Sequence, residues 1–263
     1  MENFKKYKSI CTLYSAQTFD GGILYVLGGY AVKFLQLIIF LTIWKSLLSS
    51  GADTYGMTLP QVLTYYLLSS IFREQLNLVS SGVTLLWEGS IVSNYIRPLP
   101  ILSQLAAETA GKWIPPLLLF SVPVFFTGLA MGINVFPVSV SCGILFVLSL
   151  ALSISLGFAI DFIFVSLAVY IKNASYTTYI IRNAITQFFS GAVIPFALMP
   201  WNIGEVLKLT PFGSTASAPL SIYVGTGNPM ELLFLQLLWN ILLWPITILL
   251  FKRSQERMIS YGG

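Results

Sequence analysis

The sequence predicts an all-α membrane protein. Six transmembrane helices are expected, with an N-terminal helix at the membrane surface, a cytoplasmic segment between the second and third spans, and re-entrant outer helices between the fifth and sixth. Three observations carry this. Residues 113–160, 48 positions, hold no carboxylate, amine or guanidinium. As one helix they would run about 72 Å at ~1.5 Å per residue. A bilayer's hydrocarbon core is about 30 Å thick, so the stretch must fold back, and Met131-Gly132-Ile133-Asn134-Val135-Phe136-Pro137 is the hinge. Secondly, the 263 residues are 56% hydrophobic and 9% charged, whereas soluble domains carry about 25% charged residues. No polar block is long enough for a separate soluble domain, so 1–263 reads as a single membrane domain. Thirdly, six spans put both termini on one side. With that side cytoplasmic, ten basic residues fall inside (Lys5, Lys6, Lys8, Arg97, Lys112, Lys172, Arg182, Lys252, Arg253, Arg257) and two outside (Lys45, Lys208), a strong positive-inside bias.

The elements follow in order. In residues 1–20, Phe4, Tyr7, Cys11, Tyr14 and Thr18 recur at steps of three and four, with Lys5, Lys6 and Lys8 beside them. That is an interfacial helix with its amines toward lipid phosphates, the alternative being a frayed tail. The first span is expected at about Ile23–Trp44 and the second at about Leu59–Ser80, followed by a polar-apolar segment, 81–111. The third lies at about Trp113–Met131. The fourth, Val138–Ile171, is too long for one perpendicular crossing and must tilt, bend near Gly157 or project beyond the lipid. The fifth is Tyr176–Met199, the sixth Leu232–Phe251, and a basic tail closes the chain.

Several function classes are excluded or disfavoured. Histidine is absent, which removes the usual metal ligand and general base, so an intramembrane enzyme has no constellation to stand on. Cys11 and Cys142 form no disulfide framework or metal spacing and read as free thiols. The N-terminus lacks the compact apolar run and cleavage site of a removable signal peptide. Basic residues are scattered, which argues against nucleic acid. The sequon Asn173-Ala174-Ser175 falls on the cytoplasmic side and is set aside.

Charges expected inside the membrane are Lys33, Arg73, Glu74 and Asp161, each costly unless paired or wetted. Arg73 and Glu74 share a polar helix face with Ser70, Asn77 and Ser81; either the helix leaves the lipid there or it walls an inward-facing vestibule. Ser149, Ser153, Gly157 and Asp161 recur every four residues, the spacing of close helix packing, and Lys33 and Arg73 are the partners considered for Asp161. Asn183, Thr186, Gln187 and Ser190, widened by Gly191, form an amide and hydroxyl stripe on the fifth span that faces another helix, a partner subunit or a substrate route.

Two segments outside the spans are too apolar to be idle. In 81–111, Leu85, Leu86, Ile91, Val92, Tyr95 and Ile96 need cover, from a protein partner with a groove or from this chain's own helix ends. In 200–230, proline and glycine break an apolar run, so short outer helices that dip back fit better than a plain span.

The chain resembles a type-2 ABC exporter permease, in the branch of antibiotic or viologen exporter permeases. The resemblance rests on Glu88-Gly-Ser-Ile with Arg97-Pro-Leu, Ser190-Gly-Ala-Val-Ile-Pro with Met199-Pro200, Pro211-Phe212 with a later proline and Tyr223-Val-Gly, Gln236-Leu-Leu-Trp239, and the terminal Gly-Gly. It implies the membrane subunit of an ATP-driven exporter, moving an amphiphilic small molecule, antibiotic or peptide out across a prokaryotic plasma (inner) membrane. Two permease subunits, identical or homologous, would pair, and each would bind an ABC ATPase subunit. Trp87, Glu88, Gly89, Ile91, Tyr95, Arg97 and Pro98 would form the coupling helix that receives the ATPase's motion. The first and fifth spans would line the subunit interface, and Pro195, Pro200, Trp201, Pro211 and Phe212 would belong to an outer gate. No cofactor is expected on this chain; ATP and Mg belong to the partner. Independently, no Gly-x-x-x-x-Gly-Lys-Ser/Thr occurs, so any ATPase must be another chain. Lys33 and Asp161 depart from the family pattern. The alternative reading is an ion- or proton-coupled transporter using Lys33, Arg73, Glu74 and Asp161, although no inverted repeat is evident.

Overall fold

The computed structural model describes residues 2–49, 56–171 and 175–260, and among them every regular element is helical. Lys172, the sequon's Asn173 and Ala174, and the terminal glycines lie outside the described residues. Four runs are long and apolar enough to cross a bilayer: Ile23–Ser49, Ile101–Ala130, Val140–Tyr170 and Pro229–Arg257. They fall where the first, third, fourth and sixth spans are expected.

Helix α1 (Glu2–Gln17) precedes α2 (Ile23–Ser49). The edge of α1 that the sequence assigns to lipid is partly taken by protein. Tyr7 Oη lies 2.9 Å from Ser103 Oγ, and the Cys11 thiol donates to Ala107 O at 3.2 Å. The contact demands a glycine: a Cβ at Gly111 would sit 2.4 Å from Cys11 O. Phe4, on the same stripe, stays exposed.

The second expected span is interrupted. Helix α3 (Leu59–Ile71) stops at Phe72, whose φ of −99° and ψ of 19° break it, and α4 (Arg73–Leu76) adds one turn. Two short helices follow, α5 (Gly82–Trp87) and α6 (Val92–Ile96). The third long run then starts at Ile101, not Trp113. It comprises α7 (Ile101–Pro116), a π turn (Leu117–Ser121) and α8 (Val122–Ala130). Residues 101–111 read as polar because of Gln104 and Glu108, yet both are fully buried and bonded, so the helix extends through them. The π turn follows Pro115 and Pro116, which lack the N–H that a regular helix needs.

Helix α9 (Val140–Tyr170) is one unbroken rod, about 46 Å at ~1.5 Å per residue. Its four-residue stripe packs as expected, each position on a different neighbour. Ser149 donates to Gln236 Oε1, Ser153 to Thr215 O, a Cβ on Gly157 would meet Leu78, and Asp161 accepts from the Ser80 N–H.

The fifth span also differs from expectation. Helix α10 (Ser175–Phe189) ends ten residues before Met199, and Gly191, at φ +75°, turns the chain. The carbonyls released by this break are satisfied internally: Tyr65 Oη donates to Gly191 O (2.7 Å), Ser69 Oγ to Ala192 O (2.5 Å) and Ser217 N to Ser190 O (2.9 Å). That is the condition for irregular backbone away from water. Two 3₁₀ turns, α11 (Ile203–Lys208) and α12 (Ser217–Val224) follow, then α13 (Pro229–Ser260). Helix α12 is wedged beside α9: Ser153 reaches Thr215 O near its start, and Val138 N reaches Tyr223 O near its end.

Chain directions are set by bonds. Lys33 meets Glu74 and Phe40 meets Tyr66, so α2 and the α3–α4 run are antiparallel. Ser149, Leu152, Ser155 and Ala159 meet Gln236, Asn240, Trp244 and Thr247 in turn, so α9 and α13 run parallel. The chain therefore returns between them, with α10 beside Asp161 and α12 running back along the first half of α9.

Candidate functional site

Two places gather the sequence's candidate residues. The first is the helical hairpin of α5 and α6 at one end of the bundle. Gly89, at φ +71°, makes its turn, a conformation that costs a residue with a Cβ. Its inner side is core: Val83 and Ile91 are buried, and Val83 joins Ile101, Leu105, Phe162 and Val165. Its outer side is bare. Val92 and Tyr95 are exposed, and Ile96 is 83% exposed. Ile91 covers the chain's own helix ends, Tyr95 is partly covered by α13 beside Phe251 and Gln255, and Val92 and Ile96 remain exposed. Glu88, Gly89 and Pro98 are exposed and Arg97 half-buried; the Trp87 side chain lies outside the described residues.

The hairpin is clamped by a residue that sequence reasoning missed. Glu108 of α7 is fully buried and accepts from Ser81 Oγ (2.7 Å), Asn94 Nδ2 (3.1 Å) and Arg97 (3.5 Å). Gln104, one turn earlier, donates to Asn94 O (2.9 Å) and Leu99 O (2.7 Å). A carboxylate bonded to both feet of the hairpin ties it to α7. The signal available was a lone acid four residues from a lone amide inside an otherwise apolar helical pattern.

The second place is a groove of about 320 Å³ between α2, α3, α4 and α10, lined among others by Gln36, Phe40, Tyr66, Arg73, Asn77 and Gln187. It joins the polar face of the second span to the stripe of the fifth. The stripe divides: Gln187 is exposed to the groove, Ser190 also borders it but is buried, Thr186 is buried, and Asn183 accepts from Arg182 at 2.9 Å.

The intramembrane charges pair otherwise than expected. Asp161 meets neither Lys33 nor Arg73 but Arg182, at 3.4 Å, with side-chain exposures of 2% and 3%. Arg182 is thus not the surface cytoplasmic charge that the basic-residue tally made it. Lys33 meets Glu74 at 2.8 Å. Arg73 is exposed on the groove wall, with no ion-pair partner among the described residues.

The five gate candidates differ in burial. Pro195 is buried, Pro200 exposed, and Pro211 and Phe212 half-buried, with Phe212 against Phe189 at 6.4 Å between ring centroids. Trp201 is 88% exposed, and it and Asn202 both sit at φ +56°, a left-handed pair that costs strain in residues with a Cβ. Trp201 borders a cavity of about 510 Å³ with Phe196, Glu205 and Lys208.

The family model described as ABC-2 family transporter protein matches residues 32–262. The chain belongs to the ABC-2 transporter family. No curated protein matches it. As an ABC-2 membrane domain it is a multi-pass transport component, from a family whose permeases pair with an ABC ATPase. The matched span includes the hairpin, Glu108 and both walls of the groove, and leaves α1 outside.

Proposed function

We propose that this ABC-2 chain is the permease subunit of an ATP-driven exporter in a prokaryotic plasma membrane. It crosses six times with both termini in the cytoplasm, pairs with a second permease, identical or homologous, and binds two ATPase subunits across the complex. The observation that carries this is the exposed Val92 and Ile96 on a hairpin clamped by buried Glu108. An apolar face held rigidly at the end of a membrane bundle is suited to a protein groove. Six crossings are supported by the parallel run of α9 and α13, which requires the chain between them to return, a return that α10 and α12 share.

The groove between α2 and α10 is the route for an amphiphilic small molecule, antibiotic or peptide, and the segment from Pro195 to Phe212 is the outer gate. The closed Asp161–Arg182 and Lys33–Glu74 pairs favour a structural role for those charges over proton carriage. The test is the double variant Glu88→Ala with Arg97→Ala, assayed by affinity purification from native membranes. We expect the ATPase to be lost, or its hydrolysis to continue without transport. Unchanged assembly and transport would remove the hairpin from this role.

A further inference from the structure

Arg73 is the charge left over. Glu74 neutralises Lys33 at 2.8 Å, and Arg182 neutralises Asp161 at 3.4 Å. Arg73 stands on the groove wall without a carboxylate partner among the described residues. An intramembrane cation is costly unless water or a counter-charge meets it. The nearby hydroxyls are engaged, Ser69 with Ala192 O and Ser70 with Tyr66 O. The Asn77 side-chain oxygen is buried without a partner. The guanidinium and the Gln36 and Gln187 amides are among the polar groups that line the groove, and Phe40 and Tyr66, 5.3 Å between centroids, form its aromatic wall.

A guanidinium presents a planar fork that matches a carboxylate or phosphate. We propose that the groove binds amphiphiles by an anionic head, a phosphate or carboxylate seated on Arg73, with the apolar body along Phe40 and Tyr66. That this ligand is cargo rests on the transport reading of the same groove; the binding itself does not. A membrane lipid and a free amphiphile both carry such a head.

The test uses the full chain in phosphatidylcholine nanodiscs and two tail-matched probes, dodecyl phosphate and dodecyltrimethylammonium. Wild type should bind the phosphate about tenfold more tightly, the scale of one charge-assisted pair. Arg73→Gln should erase that preference and Arg73→Lys should keep part of it. Thermal unfolding should not change in either variant, because Arg73 holds no ion pair among the described residues. Equal binding of the two heads by wild type, or a preference that survives Arg73→Gln, overturns the proposal. Discs containing phosphatidylglycerol assign the source: competition against dodecyl phosphate identifies a lipid head, no competition a free amphiphile, and both support an anionic head on Arg73. The readout needs no ATPase, so a complex that lacks one would sink the transport reading and leave this result intact.

Discussion

Asp161 on α9 and Arg182 on α10 close a buried pair 3.4 Å apart, and the same carboxylate accepts the Ser80 N–H at 3.1 Å. The next residue, Ser81, bonds Glu108. Adjacent serines at the root of the α5–α6 hairpin thus tie it to two buried carboxylates, one on α9 and one on α7.

Breaking the Asp161–Arg182 pair from one side should be severe. Asp161→Asn or Arg182→Gln leaves an uncompensated buried charge, costing about 3–5 kcal/mol, whereas removing both partners costs less. Thermal unfolding of the purified variants checks this: each single change should lower the midpoint sharply, and the double variant should recover part of the loss. Equal midpoints for all three would refute the buried pair.

Glu108→Ala should free the hairpin without unfolding the bundle. Three donors lose their acceptor, at roughly 1–3 kcal/mol for a buried polar group left unpaired. Amide hydrogen exchange is the measurement. Residues 82–96 should exchange faster while α9 and α13 keep their protection, and Glu108→Gln should show a smaller effect. Unaltered exchange in the alanine variant contradicts the clamp.

Gly111 fixes α1 on α7, since a Cβ there would lie 2.4 Å from Cys11 O. Gly111→Val should push α1 away and uncover Cys11. Burial raises the Cys11 thiol pKa above its ordinary value, so less thiolate is present at any given pH than in an exposed cysteine. Maleimide labelling of wild type should need a more alkaline pH, and the valine variant should label at lower pH. Coincident labelling curves would show that the contact does not protect the thiol.

Two neighbours in the stripe should respond oppositely to bulk. Gln187 is exposed to the groove, so Gln187→Trp should block transport while expression holds. Ser190 is 1% exposed, so Ser190→Trp should fail to fold. Transport and expression measured side by side separate the two; full transport by Gln187→Trp would remove the groove from the route.

Much of this was legible in sequence because hydrophobic runs, proline breaks and four-residue stripes are local signals. The α8–α9 hinge and the stripe from Ser149 to Asp161 were read from such patterns. What escaped was non-local. Nothing near Asp161 distinguishes Arg182 from Lys33 or Arg73 as its partner; only the approach of α10 to α9 decides it. Glu108 read as part of the polar-apolar segment outside the spans because a carboxylate lowers local hydropathy, while its burial depends on Ser81, Asn94 and Arg97 folding back over it. The early end of α10 depends on Tyr65 and Ser69 of α3, more than a hundred residues away, accepting the burden of the freed carbonyls.

The central claim is that the hairpin end receives an ATP-binding partner. A photoreactive residue placed at Ile96 in native membranes tests it most directly. The account predicts capture of a cytoplasmic polypeptide that also labels with azido-ATP, and suppression of that product by an excess of wild-type copies without the probe. Crosslinks only to lipid, or labelling of position 96 by a reagent confined to the outside of the cell, would contradict it.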